Sequence, residues 1–231
     1  PSDLFAPPDR PCPFAPAQVG RACRGTHFPD SLREADMTLT EITPIPLAAL
    51  PLAELRDHLR LSSGFADDAT QDGLLEQYLR AAIATVEGRV ARSLFLRGYS
   101  LRLSRWRDGY AQVLPVAPVT ALQSVTMLDT SGAQTLVDPA RYRLDADGAR
   151  PRLEAAGTAL PGIPTGGAVV VDFSAGFGAE WSDIPADLRQ AVLLLAAQYY
   201  EGREAGGSTD LGFGVRALLE RWRDLRLGGR V

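Results

Sequence analysis

Cys12, Cys23 and His27 are the side chains of this chain best suited to hold a soft metal ion, because thiolates and imidazoles are the usual zinc donors. A structural zinc site needs four well-spaced ligands, and no paired CxxC half-site accompanies these three. They read as free thiols of a reducing cytosol beside an ordinary histidine. Asp145 and Asp147 before Gly148 have the beginning of a calcium loop, yet the later ligands and the bidentate glutamate are missing. The glycines of GIPTGG (162–167) run into a strand with no Lys-Ser/Thr pair, which makes a loop and not a phosphate cradle. No GxSxG elbow offers a hydrolase nucleophile. His58, the other histidine, sits beside Leu59 on an amphipathic helix and reads as a boundary residue. The chain is therefore expected to have no catalytic residues, no cofactor and no metal, and not to be an enzyme.

Composition bounds the remaining classes. With 231 residues the chain can bury a sizeable core as one domain or one domain with an appendage. A formal charge of -4 lacks the basic excess of a protein that coats nucleic acid. The apolar run AVLLLAAQYY (191–200) is too short to span a bilayer, and the proline-broken stretch LTEITPIPLAALPL (39–52) is no secretory leader.

The elements that would position any site follow from periodicity. Residues 1–36 carry seven prolines, Pro1, Pro7, Pro8, Pro11, Pro13, Pro16 and Pro29, with no helical or alternating pattern, so an extended arm is expected, lying along a neighbouring subunit. Met37 opens MTLTEITPIP, which reads like a start of translation, and the arm is either a genuine extension, a product of upstream initiation or an artefact. Helices are predicted at about 51–61, 69–92, 185–204 and 212–226. In the second, Leu75, Leu79, Ala82, Ile83, Val86 and Val90 recur at spacings of three and four. Asp67 and Asp68 favour its N-terminus. The third starts at Pro185 and Asp187, is apolar nearly all round, and is stopped by Gly206 and Gly207. The fourth buries Val215, Leu218, Leu219, Trp222 and Leu225 and exposes a charge ladder of Arg216, Glu220 and Asp224.

Between them, about 98–174, the period changes to two. Tyr99, Leu101 and Leu103 alternate with polar neighbours, as do Val125 and Met127. RYRLDADGARPRL (141–153) predicts a hairpin with Asp147 and Gly148 as a two-residue turn, a register that sets Tyr142 opposite Leu153 and Arg143 opposite Arg152. Like charges so opposed are either splayed into solvent or form a basic face for an acidic partner or phosphate. The predicted class is α+β: a helical-bundle core of about four helices with an inserted small antiparallel β region, plus the extended proline-rich arm. Residues 37–231 are read as one domain.

Taken in order, FSAGFG (173–178), IPADLRQA (184–191), AAQYYEGRE (196–204) and GFGVRALL (212–219) resemble the head-tail connector, or adaptor, proteins of tailed bacteriophages and of the phage-derived gene transfer agents. PLAELRDHLRL and LPVAPVTALQSVT add weaker support, and the resemblance spans about Thr43 to Leu227. It implies a structural neck protein of the virion or phage-like particle, made in the bacterial cytoplasm. Copies, twelve in the usual architecture, would form a ring beneath the portal protein, extend the channel through which double-stranded DNA passes unbound, and meet a tail-side neck protein. No membrane partner is implied. A ring needs a head-to-tail contact between identical subunits. Candidate portal contacts are Phe213, Val215, Leu218, Trp222, Arg223 and Arg226, the arginine-rich, Trp-bearing end of the chain. Arg141, Arg143 and Arg152 are candidates for a subunit or tail-side contact. The alternatives are another neck or tail-completion protein, a stopper or tail terminator, which would be expected to be mostly β, and a small enzyme or ligand-binding domain.

Overall fold

The computed structural model of the chain describes residues 37–61, 68–202 and 211–223. The arm, Asp67, the Gly206–Gly207 stop, Asp224, Leu225 and Arg226 lie outside them. The described residues form a mixed α+β structure of four α-helices and two antiparallel sheets.

The helices are α1 (Leu52–His58), α2 (Asp68–Val90), α3 (Ala186–Gly202) and α4 (Phe213–Leu219), the last continued by a 3₁₀ turn at Glu220–Trp222. The first two stop short of their predicted C-termini, for local reasons. Arg60, at φ 54°, closes α1: its N–H and that of Leu61 donate to Asp57 and Arg56 carbonyls at 3.1 Å, a left-handed cap on a residue other than glycine. Ala91, at φ 52°, ends α2 in the same region of backbone space. The predicted stripe of α2 is buried throughout, Leu75, Leu79, Ala82 and Val86 completely. It packs with Leu55, with Leu188, Val192 and Leu195 of α3, and with Val215 and Leu219 of α4 in one apolar cluster. Tyr78 meets Tyr200 edge-on at 6.1 Å across α2 and α3.

The strands are β1 (Met37–Glu41), β2 (Arg97–Leu103), β3 (Ala111–Val113), β4 (Val119–Leu128), β5 (Gln134–Leu136), β6 (Tyr142–Asp145), β7 (Arg152–Ala155) and β8 (Ala168–Ala175). One sheet has the order β1-β2-β8-β4-β5 and the other β3-β7-β6. Alternation works as predicted on β2, where Tyr99, Leu101 and Leu103 are buried, and on β4, where Val125 and Met127 are. The β region is more than a small insertion: residues of both sheets share a second apolar cluster, with Leu101, Leu103, Val169, Val171 and Phe173 of the larger sheet against Leu153 and Ala155 of the smaller. It also recruits β1, not anticipated from sequence, which pairs Met37 with Leu103 and Leu39 with Leu101 at the sheet edge.

The glycine-aromatic turn after β8 joins the two halves through backbone. Leu96 N–H donates to Gly178 O at 2.7 Å, Gly176 N–H to Pro118 O at 2.9 Å and Phe177 N–H to Leu94 O at 3.2 Å. A Cβ on Gly176 would fall 2.1 Å from Phe95 O, and one on Gly178 would fall 2.2 Å from Asp183 Oδ2, so both positions exclude side chains.

The β6–β7 hairpin corrects the predicted register. Arg143 stands opposite Glu154, Asp145 opposite Arg152, and Tyr142 opposite Ala155. The connection is the six residues between Asp145 and Arg152, not a two-residue turn. Asp147 Oδ1 accepts the N–H groups of Ala149 at 2.7 Å and Arg150 at 3.3 Å, which closes a wider turn. The shifted register replaces two opposed arginines with two opposite-charge pairs, the favourable choice on an exposed face.

Candidate interaction surfaces

Among the described residues no three His, Cys, Asp or Glu side chains converge on a possible metal position, and His58 is exposed at the end of α1. No helix among them is long and apolar enough to cross a membrane.

The structure sorts the C-terminal candidates into a base and a face. Val215 is buried, and Leu218 and Trp222 are half-buried against the helical cluster. The Trp222 indole Nε1 donates to Asp187 Oδ2 at 2.7 Å, and its ring meets Phe177 edge-on at 5.6 Å. The Arg92 and Arg221 guanidinium groups lie 5.2 and 5.1 Å from its ring centroid. These three side chains fasten the end of the chain to its own core. Phe213, by contrast, is 88% exposed. With Arg216, Glu220 and Arg223, all exposed, it recurs at spacings of three, four and three along α4 and the 3₁₀ turn that continues it. Arg223 pairs with Glu220 at 3.3 Å, and its side chain remains 64% exposed. Beside these residues lies a cleft of about 330 Å³ walled by Arg89, Arg216 and Arg223, with Leu211, Leu219 and Glu220. Arg89 and Arg216 complete a basic rim that the sequence could not reveal, because Arg89 comes from α2. Arg226 is outside the described residues.

The arginine candidates of the hairpin are not a bare basic face. Arg143 donates to Glu154 Oε2 through Nε at 3.0 Å and through Nη2 at 2.7 Å. Arg141 ends a short 3₁₀ turn whose N-terminal Asp138 Oδ1 accepts the Ala140 N–H at 2.9 Å, and it is exposed, as is Arg152. The far end of the hairpin touches the C-terminal region: Arg92 Nη1 donates to the Gly148 carbonyl while the same guanidinium lies over Trp222.

One buried ionic cluster went unrecognised in the sequence. Arg97, on β2, is only 7% exposed and pairs with Glu87 of α2 at 2.5 Å and with Glu41 of β1 at 2.9 Å. Ser93 Oγ and the Tyr99 ring complete its surroundings. Burial pushes the Glu87 carboxyl above its ordinary range, against the opposing pull of Arg97 and of the Leu94 N–H. The cluster ties helix, central strand and edge strand together. Its only sequence signal is an arginine at an inward position of an alternating strand.

No protein-family model matches the chain, and no curated protein matches it. Solved structures do. A chain in the neck of an empty GTA particle with C6 symmetry is 55% identical, with a TM-score of 0.77, covering 84% of this chain and 100% of that one. A chain in the virion of a native gene transfer agent (GTA) particle is 54% identical, with a TM-score of 0.75, over 84% of this chain and 98% of that one. A third, in the neck of a native GTA particle with C12 symmetry, is 52% identical, with a TM-score of 0.73, over 84% and 100%.

Proposed function

Since the chain belongs to the neck, or head-tail connector, proteins of gene transfer agent particles, we propose that twelve copies of it close into a ring beneath the portal, prolonging the DNA channel toward the tail. Rotational symmetry requires a heterologous contact that closes on itself, so each copy presents two different surfaces to its neighbours. Residues 37–231 act as one adaptor domain, its helical core the rigid wedge of the ring, and the 1–36 arm reaches along a neighbouring copy. The role is structural. The acidic balance of -4 suits a conduit whose wall must not hold phosphate.

The portal contact is carried by the exposed face of α4. The supporting observation is that Phe213, 88% exposed, is carried on the same α4 and 3₁₀ turn as Arg223, beside the basic cleft, whereas Val215, Leu218 and Trp222 are committed to the core beneath. An exposed aromatic flanked by arginines is the composition of an interface hot spot. Arg226, three residues further in the sequence, is a candidate for the same contact. Arg141, Arg143 and Arg152 serve the contact with a neighbouring copy or with the tail-side neck component.

Removing residues 211–231 wholesale would strip Val215 and Leu219 from the core, so surface variants are the cleaner test. Phe213→Ser with Arg223→Glu should leave the fold intact and abolish incorporation of the chain into particle necks, leaving filled heads without tails. Normal necks and undiminished portal binding by that variant would refute the assignment.

A further inference from the structure

The sequence assigns the hairpin arginines Arg141, Arg143 and Arg152 and the C-terminal residues to different contacts, yet the β6–β7 loop and the C-terminal turn are neighbours. Arg92 brings them together. Its guanidinium donates to the Gly148 carbonyl of the loop and lies 5.2 Å from the Trp222 ring centroid, so both segments lie within one arginine side chain of each other. Arg92 is itself fixed, because it follows the left-handed Ala91 and pairs with Ala117 in an isolated bridge. The loop is shaped by Asp147, which accepts two successive N–H groups of Ala149 and Arg150. The turn is tied down by the indole bond to Asp187 at 2.7 Å. Two ordered segments side by side on the exterior make one surface.

Charge identifies what that surface takes. Arg89, Arg150, Arg221 and Arg223 are exposed on or beside it, against the exposed carboxylates Asp147 and Glu220. Asp187, which pairs with Arg221 at 3.2 Å, is only 17% exposed and lies beneath the Trp222 ring edge. A chain with a net charge of -4 has thus gathered a local cationic excess at this place. Such a surface is steered toward, and seated on, an acidic protein face.

We propose that the loop at residues 146–151 and the turn at residues 221–223 form a single docking surface for an acidic face of the portal, with Arg92 as the positioning residue that holds the two in register. This rests on the assignment of α4 to the portal and adds to it a second segment, from the β region. The two ends of the hairpin then have separate tasks, the loop facing the portal and the Arg141–Arg143 end facing elsewhere; Arg152, next to the loop and opposite Asp145, is reassigned with it to the portal side.

Portal affinity of the full chain, measured against the purified portal ring at two salt concentrations, tests this with exposed single substitutions. Arg150→Glu and Arg223→Glu should each weaken binding about tenfold and flatten its salt dependence. Arg102→Glu, at an exposed position of β2, should change it less than about twofold. Arg92→Ala should weaken binding while leaving the salt dependence as in the parent, since it orients cations and does not present one. Full affinity in Arg150→Glu alongside a loss in Arg223→Glu overturns the composite surface but leaves the α4 assignment standing. Full affinity in both removes the assignment as well.

Discussion

The indole Nε1 of Trp222 donates to Asp187 Oδ2 at 2.7 Å, which ties the last described turn of the chain to the first turn of α3. That carboxylate, 17% exposed, also pairs with Arg221 at 3.2 Å. The turn at Glu220–Trp222 is thereby a preformed surface. Preorganisation of this kind lowers the entropic cost of docking.

Trp222→Ala removes the bond, the edge contact with Phe177 and the two cation–π contacts together. A loss of about 3 kcal/mol is expected from urea unfolding at unchanged m-value. Trp222→Phe keeps the ring contacts and should lose about 1 kcal/mol, the scale of one hydrogen bond. Equal losses in both variants would show that the indole N–H, and not the packing, is the anchor.

Gly176→Ala should be poorly tolerated, because the backbone there has φ 138° and an added Cβ would lie 2.1 Å from Phe95 O. Strain and displacement of that carbonyl are expected to cost about 2 kcal/mol or more. A Gly88→Ala control, in open space on α2, should be neutral or slightly stabilising. Thermal midpoints of the two variants that coincide would contradict the steric argument.

Arg97→Met leaves Glu87 buried without its cation and should cost about 3 kcal/mol at neutral pH. Glu87 already has a raised pKa, chiefly from burial. A carboxyl raised in the folded state contributes stability below its ordinary value of 4.5 and loses it as pH rises through the higher folded value. The penalty of Arg97→Met should therefore shrink as pH is lowered toward 4.5, where Glu87 folds protonated. A penalty independent of pH would exclude Glu87 as its source.

Asp147 is held below its ordinary 3.8 by the N–H groups of Ala149 and Arg150. A depressed folded-state pKa means that the turn is supported above the ordinary value and released as pH falls through the folded one. The Ala149 amide resonance should titrate with a midpoint below 3.8. A midpoint at or above that value would show that the carboxylate does not cap the loop.

Much of the helical part was legible in sequence because its signals are local. The spacing of Leu75, Leu79, Ile83 and Val86 defines an apolar stripe whatever packs on it, and all four are buried. The glycines of FSAGFG likewise announce a sharp turn before its partners are known. The candidate surface was only half legible. Val215, Leu218, Trp222 and Phe213 are all apolar or aromatic on one short helix, and composition does not say which of them the core will claim. α3 and the Phe177 turn claim the first three and leave Phe213 outside.

By itself the sequence determined the order and type of the main elements and, through the joint order of its turn, cap and helix segments, the family. Tertiary structure decided the pairings. β1 joins the sheet because β2 offers an unpaired edge 60 or so residues later in the chain, where no local pattern reaches. The hairpin shifted register because Arg143 gains Glu154 and Asp145 gains Arg152, a preference visible only when both strands are in place. Arg92 met Gly148 and Trp222 for the same reason. Periodicity states which face of an element is apolar. Only the fold states what comes to cover it.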